Sequence, residues 1–179
     1  MNLGWLQAWE GSKVERNITT SITILVLDVN DHRPTFSATS YRTAIEENSA
    51  KGMPVTFEDV AGMAPRVYDL DAAANGTFTL SIDCGSNDVF EVTPTLVVNE
   101  AEFSVRVKNQ SALDYERLKT VNCTITAREL VAWQPKVTIV RLRIDVTDVN
   151  DNVPQFSLMA YHVRPPFPIF HLLIWILLI

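Results

Sequence analysis

Basic residues are in the minority in this 179-residue chain: 15 Lys and Arg stand against 21 Asp and Glu, a net charge of −6, with a pI near 5.0. Broad charge-driven binding of nucleic acid needs clustered cations to neutralise phosphates, so that class is excluded. Glycine is scarce, 6 residues beside 9 prolines, which leaves no room for a glycine-rich phosphate cradle. The two cysteines, Cys84 and Cys123, are too few for a disulfide scaffold and lack the paired spacing of a zinc site. His32, His162 and His171 form no ligand spacing, and no nucleophile-elbow, zinc-protease or Walker pattern occurs, so the sequence does not read as an enzyme. Helix-period stretches of useful length are missing as well.

The ends are poor in targeting signals. Met1–Glu10 has neither a basic leader nor an unbroken apolar core of the secretory kind. From Phe167 to Ile179 every residue except Pro168 and His171 is apolar or aromatic, but a helix needs roughly 20 such residues to span a bilayer. No Lys or Arg follows that stretch. A truncated membrane anchor and an aberrant terminus belonging to no folded unit are the two readings of this tail, and the second is preferred.

What is present is globular composition, 47% hydrophobic and 20% charged, in a length that fits one to two domains with a well-packed core. The chain also repeats itself. Asp28-Val29-Asn30-Asp31-His32-Arg33-Pro34-Thr35-Phe36 returns 120 positions later as Asp148-Val149-Asn150-Asp151-Asn152-Val153-Pro154-Gln155-Phe156. The match runs on through Ser37/Ser157 and Tyr41/Tyr161, and upstream Ile22, Ile24 and Val26 correspond to Leu142, Ile144 and Val146. Residues 1–36 are therefore expected to be the C-terminal part of a truncated module plus its linker, and 37–156 a complete module plus linker. Residues 157–179 begin a further module that Arg164-Pro165-Pro166 interrupts and the apolar tail replaces.

The complete module alternates with a period of two. Phe78, Leu80, Ile82 and Cys84 form one apolar ladder; Phe103, Val105 and Val107 a second; Val121, Cys123, Ile125 and Ala127 a third; and Val140–Val146 a fourth. Short strands separated by Gly, Asn, Asp and Pro clusters predict an all-β sandwich. Both cysteines fall on inward faces, where a buried disulfide and two buried thiols are equally compatible with the pattern.

Outside the strands the carboxylates gather into small groups: Glu46-Glu47-Asn48, Asp69-Leu70-Asp71, Asp114-Tyr115-Glu116 and the two Asp-rich linkers. Alternate acidic residues on an extended segment point the same way, and calcium requires about six to eight hard oxygen ligands. One such group alone is an ordinary solvated turn. Five of them, with a repeated Asp-x-Asn-Asp, point to divalent metal, and to calcium rather than magnesium, which keeps its waters in a strict octahedron.

With these groups in this order, residues 18–161 resemble the extracellular repeats of the cadherin superfamily. The specific features are the Asp-x-Asn-Asp-Asn-x-Pro linker at Asp148–Pro154, Glu47 near the start of a repeat, Asp69-x-Asp71, Leu113-Asp114-Tyr115-Glu116, and Asn75 before Gly76. The resemblance implies an immunoglobulin-like, seven-stranded Greek-key β-sandwich. It also implies Ca2+ at each junction between repeats, stiffening an ectodomain that acts in cell–cell adhesion. At the first junction the implied ligands are Asn30, Asp69, Asp71 and Glu129 with the carbonyls of His32 and Asn75, Asp31 belonging to the same linker. At the second they are Glu47, Asp114, Glu116 and Asp151, with the Val149 carbonyl and with Asn150 and Asn152 toward a neighbouring repeat.

Two positions depart from the family pattern. His32 replaces the usual Asn where only a carbonyl is contributed. Glu129 replaces the usual Asp, its extra methylene extending the carboxylate by about one bond. The implied partners are other cadherin ectodomains, like-with-like or heterotypic, with membrane association through the parent protein and an extracellular location. Sequons at Asn17, Asn75, Asn109 and Asn122 fit that location, Asn109 and Asn122 being the better acceptors. Trp5 and Trp9 are assigned to core or hairpin packing. The rival readings are a calcium-dependent glycan-binding secreted sandwich and an incomplete product without function of its own.

Overall fold

Thirteen strands and one short helix account for the regular structure of the computed structural model, which describes residues 2–9, 17–57, 64–86, 88–131 and 133–158. Two units are separable, Met1–Asp148 and Val149–Ile179. The described part of the second unit, 149–158, contains no strand or helix, and the apolar 167–179 tail lies outside the described residues. Among the described residues no helix is long and apolar enough to cross a membrane.

The first unit opens with an antiparallel pair, β1 (Asn2–Trp9) and β2 (Asn17–Ile24), with Trp5 opposite Ser21 and Trp9 opposite Asn17. Next along the chain come β3 (Thr35–Phe36), β4 (Ser40–Glu46), β5 (Thr56–Phe57), β6 (Arg66–Tyr68) and β7 (Thr77–Asp83). After these come β8 (Phe90–Thr93), β9 (Leu96–Val98), β10 (Glu100–Glu102) and β11 (Ser104–Val107). A 3-10 turn at Gln110–Ala112 then leads to β12 (Thr120–Glu129) and β13 (Val137–Thr147). Taken in pairs across their short breaks, β3/β4, β5/β6, β8/β9 and β10/β11 join β7, β12 and β13 to make the seven strands of a sandwich. Pro94, preceded by a cis peptide bond, marks the break between β8 and β9.

One layer runs β5-β4-β13-β12-β7-β9; the other is built from β10-β6-β3 and β11-β8, and an antiparallel bridge joins Pro54, just before β5, to Arg106 of β11. The first strand divides between them. β3 pairs with β6, whereas β4 runs parallel to the last strand, β13. The alternation read from the sequence fixes which side chains of these strands fill the interior: Phe78 and Leu80 from β7, Val121, Cys123, Ile125 and Ala127 from β12, and Val140, Leu142, Ile144 and Val146 from β13 are buried in one core with Val67, Phe90, Val92, Val105 and Val107. Phe103 is the aromatic centre, with edge-to-face rings of Phe36 at 5.7 Å and Tyr41 at 5.6 Å. Cys84 and Cys123 form a disulfide between neighbouring strand segments, which resolves the choice between bridge and free thiols.

Candidate metal centres at the poles of the sandwich

Among the described residues, every deeply buried carboxylate continues the inward phase of a strand. In β4 the inward series Tyr41, Thr43, Ile45 continues to Glu47, 3% exposed. From β6, Val67 continues to Asp69 and Asp71, and β12 ends its series Val121, Cys123, Ile125, Ala127 with Glu129. Pleating alone therefore turns these acids toward the interior just where each strand runs out. β12 carries the two groups to opposite ends: Glu129 closes its C-terminal end, while the Val146 amide donates to Lys119 just before its start and the Glu47 amide donates to Thr147. Ten residues of strand separate the poles, on the order of 30 Å.

At the first pole, ligand-capable oxygens of Asp69, Asp71 and Glu129 lie within 4.8 Å of one another, and all three residues are buried. The Asp71 amide donates to Asp69 Oδ1 at 3.0 Å. The His32 amide donates to both Asp71 carboxylate oxygens, at 3.2 and 3.1 Å. His32 Nδ1 faces Asp71 Oδ1 at 2.8 Å and Asp31 Oδ1 at 2.7 Å; both are acceptors, so this nitrogen carries the proton. Glu129 Oε2 accepts from Asn30 Nδ2 and from the Lys136 amide, each at 2.8 Å. The Lys136 ammonium donates to Asn30 O at 2.7 Å, Asn30 Oδ1 at 3.0 Å and His32 O at 2.6 Å.

Asp69 Oδ2 and Glu129 Oε1 are buried with no hydrogen-bond partner. Leaving such oxygens unpaired is costly, and hard anionic oxygens gathered in this number match the donor set of calcium. Burial pushes the Asp69 carboxyl above its ordinary value, and the neighbouring Asp71 and Glu129 charges push the same way. Burial acts on Asp71 in that direction too, but the hydrogen bonds from His32 outweigh it and hold this carboxyl low. Its bond to Asp71 raises the His32 imidazole.

Close packing holds the acidic loop in place. The Asn99 side chain donates to Asp71 O at 2.5 Å, and the Asp69 amide donates to Asn99 O at 2.6 Å. Asn75 does not point its side chain at the acids: Asn75 Nδ2 donates to Asp28 Oδ2 at 3.0 Å, and the Ala72 amide donates to the same oxygen at 2.9 Å. Glu129, whose extra methylene extends its reach, stays folded in at 2% exposure because two donors hold Oε2.

At the opposite pole Glu47 Oε2 accepts from the Tyr115 amide at 2.8 Å. Asp114 O accepts from Leu118 N at 2.8 Å, and Asp114 Oδ1 from Arg117 N at 3.2 Å. The Asn48 amide, in the left-handed region at φ 57°, donates to Leu113 O. Glu47 is therefore tied to the Asp114-Tyr115-Glu116 turn, in which Glu116 is exposed. Val149, Asn150, Asp151 and Asn152 lie in the second unit, where Asn152 Nδ2 donates to Asp151 Oδ1 at 2.9 Å.

Sequence reasoning missed Lys136, Asp28, Asn99, Gly76 and the side chain of His32. Gly76 had a readable signal, its place after Asn75. Lys136 had none, because a lysine next to a proline in a loop reads as a solvated charge.

A β-sandwich of one repeated module, with carboxylates closing the ladders at both poles, defines an ectodomain repeat rather than an enzyme. The chain is 34% identical over 148 residues to Cadherin-86C of Drosophila melanogaster, covering 83% of this chain and 8% of that protein. It is 33% identical over 148 residues to cadherin-related family member 1 of Homo sapiens, covering 83% of this chain and 17% of that protein. Among solved structures, mouse Cadherin-23 EC22-24 superposes with a TM-score of 0.65 at 24% identity, over 87% of this chain and 45% of that one. Mouse clustered PcdhgC3 EC1-3 gives 0.57 at 26% identity, over 82% and 43%. No protein-family model matches. The chain belongs to the cadherin superfamily. It is a non-enzymatic repeat of the adhesion-ectodomain type and spans less than a fifth of the length of the curated relatives named here.

Proposed function

We propose that this chain is a calcium-dependent adhesion module whose poles bind Ca2+ and thereby stiffen the passage from one repeat to the next. The observation that carries the reading is the buried Asp69, Asp71 and Glu129 cluster, with two carboxylate oxygens left unpaired. A bound calcium supplies positive charge to oxygens about 2.3–2.6 Å away and cancels their mutual repulsion. Asn30, Asp69, Asp71 and Glu129, with the carbonyls of His32 and Asn75, are the ligands proposed for the first pole, Asp31 adding negative charge beside them. Glu47, Asp114 and Glu116 are those proposed for the second. Asp151, Asn150, Asn152 and the Val149 carbonyl enter on the family resemblance alone.

Residues 1–36, 37–156 and 157–179 are proposed as a partial repeat, a complete repeat and the start of another. The proposed partners are other cadherin ectodomains, and the proposed location is the outer face of the plasma membrane; a gamma-B7 protocadherin EC3-6 fragment is known as a cis dimer.

Calorimetric titration of calcium into chelator-stripped protein tests the reading, with Asp114→Ala as the control for the second pole. Heat of binding, reduced in the variant, is the expected result. No heat in either protein, together with a melting temperature indifferent to chelator, overturns it.

A further inference from the structure

We propose that the Lys136 ammonium is a built-in counter-ion of the first pole, competing with calcium for the oxygens of Asn30 and His32. The inference rests on the calcium reading of that pole and adds to it a residue that sets the calcium threshold.

An ammonium has three protons, and Lys136 spends all of them here, on Asn30 O, Asn30 Oδ1 and His32 O at 2.6–3.0 Å. Asn30 Oδ1 and His32 O are also two of the oxygens assigned to the ion. A divalent cation within bonding distance of those oxygens would lie against the ammonium, and like charges that close repel strongly in a part-buried site. The two cations therefore exclude one another.

The lysine cannot yield by moving its backbone. Its amide is bound to Glu129 Oε2 at 2.8 Å, and its carbonyl accepts from the Glu129 amide at 3.1 Å, which pins it where the chain turns from β12 toward β13. Only the side chain can swing away, and it is half-buried rather than enclosed.

The compensation it offers is partial. One positive charge faces three buried carboxylates, and it bonds neither Asp69 Oδ2 nor Glu129 Oε1, which remain unpaired. Lys136 thus holds the linker carbonyls against the pole when calcium is scarce and leaves a demand that only a multivalent ion can meet. Calcium binding at this pole requires the ammonium to be expelled first, so the apparent affinity is lower than the acidic ligands alone would give.

The test compares the full chain with Lys136→Met, both carrying Asp114→Ala to suppress the opposite pole, by calcium calorimetry and by melting in EDTA. Lys136→Gln, which keeps a donor without the charge, serves as a second variant should the methionine protein fail to fold. The expected result is calcium binding about ten- to a hundredfold tighter without the lysine charge, the scale of a charge-assisted hydrogen-bond set that no longer has to be surrendered. In EDTA the uncharged variants melt at a lower temperature than the lysine protein, and saturating calcium removes that deficit. Equal calcium affinity with equal melting in EDTA overturns the competition while leaving the calcium reading intact. Absence of binding heat in all of the proteins overturns the calcium reading and the competition with it.

Discussion

Gly76 has no room for a side chain. A Cβ there would lie 2.3 Å from Asp71 O and 2.6 Å from Asn99 Nδ2, and Asp71 O is backbone that cannot rotate away. Gly76→Ala is expected to push the Asp69–Asp71 loop outward, costing about 1–3 kcal/mol of folding free energy and weakening calcium binding at that pole. Chemical denaturation and calorimetry on the same variant measure both. Asp69 behaves in the opposite sense. Burial disfavours its charge, so Asp69→Asn, whose amide oxygen can still accept from the Asp71 amide, is expected to stabilise the calcium-free protein by about 1 kcal/mol. The same change is expected to abolish the stabilisation that calcium confers at this pole. Denaturation curves with and without calcium separate the two effects, and a variant still stabilised by calcium as much as the parent contradicts the ligand assignment.

Strand ends decide how far the site could be read without coordinates. Glu47, Asp69 and Asp71 follow ladders that were not read as strands and were legible only through the family resemblance. The β12 ladder of Val121, Cys123, Ile125 and Ala127, by contrast, runs in unbroken phase to Glu129, so the alternation extends to that carboxylate. The core was legible for the same reason, since a period of two leaves little freedom once a strand is recognised. What stayed hidden depends on loops folding back: the reach of Lys136 over Asn30 and His32, the Asn99 brace and the grip of Asp28 on Asn75 join residues whose local sequence carries no period. The disulfide was hidden too, because inward phase permits a bridge without requiring it.

That bridge closes a separation of 39 residues, and replacing both cysteines by serine is expected to cost about 2–4 kcal/mol, read as a shift in denaturation midpoint. On β13, burial works to raise the Asp145 carboxyl, but Arg143 at 2.9 Å and Thr120 at 3.0 Å outweigh it and hold it low. A folded-state value below the unfolded one gives stability that is present above the ordinary carboxylate range and lost as pH falls through the depressed value. The side chain is 40% exposed, so solvent screening keeps the contribution under about 1 kcal/mol. Thr120→Val should flatten the acid limb of the stability profile slightly.

For the molecule as a whole, the charge of −6 matters less than its arrangement, since buried acids close the ladders at both ends of the sandwich. In a longer chain with complete repeats on either side, chelation is expected to lower the melting temperature and broaden the distance distribution in solution scattering. Unchanged scattering on chelation counts against calcium-dependent stiffening.

The parallel pairing of β4 with β13 bears on how the module meets tension. Seven register pairs, Ser40 with Arg141 through Glu46 with Thr147, join the first strand to the last, and the chain enters beside one end of this ladder and leaves from the other. A pull between the entry at Pro34 and the exit at Asp148 drags the two strands past each other lengthwise. Load is then shared by many hydrogen bonds at once rather than borne by the outermost pair, so the repeat resists stretching along its axis far better than it resists being peeled open from the side.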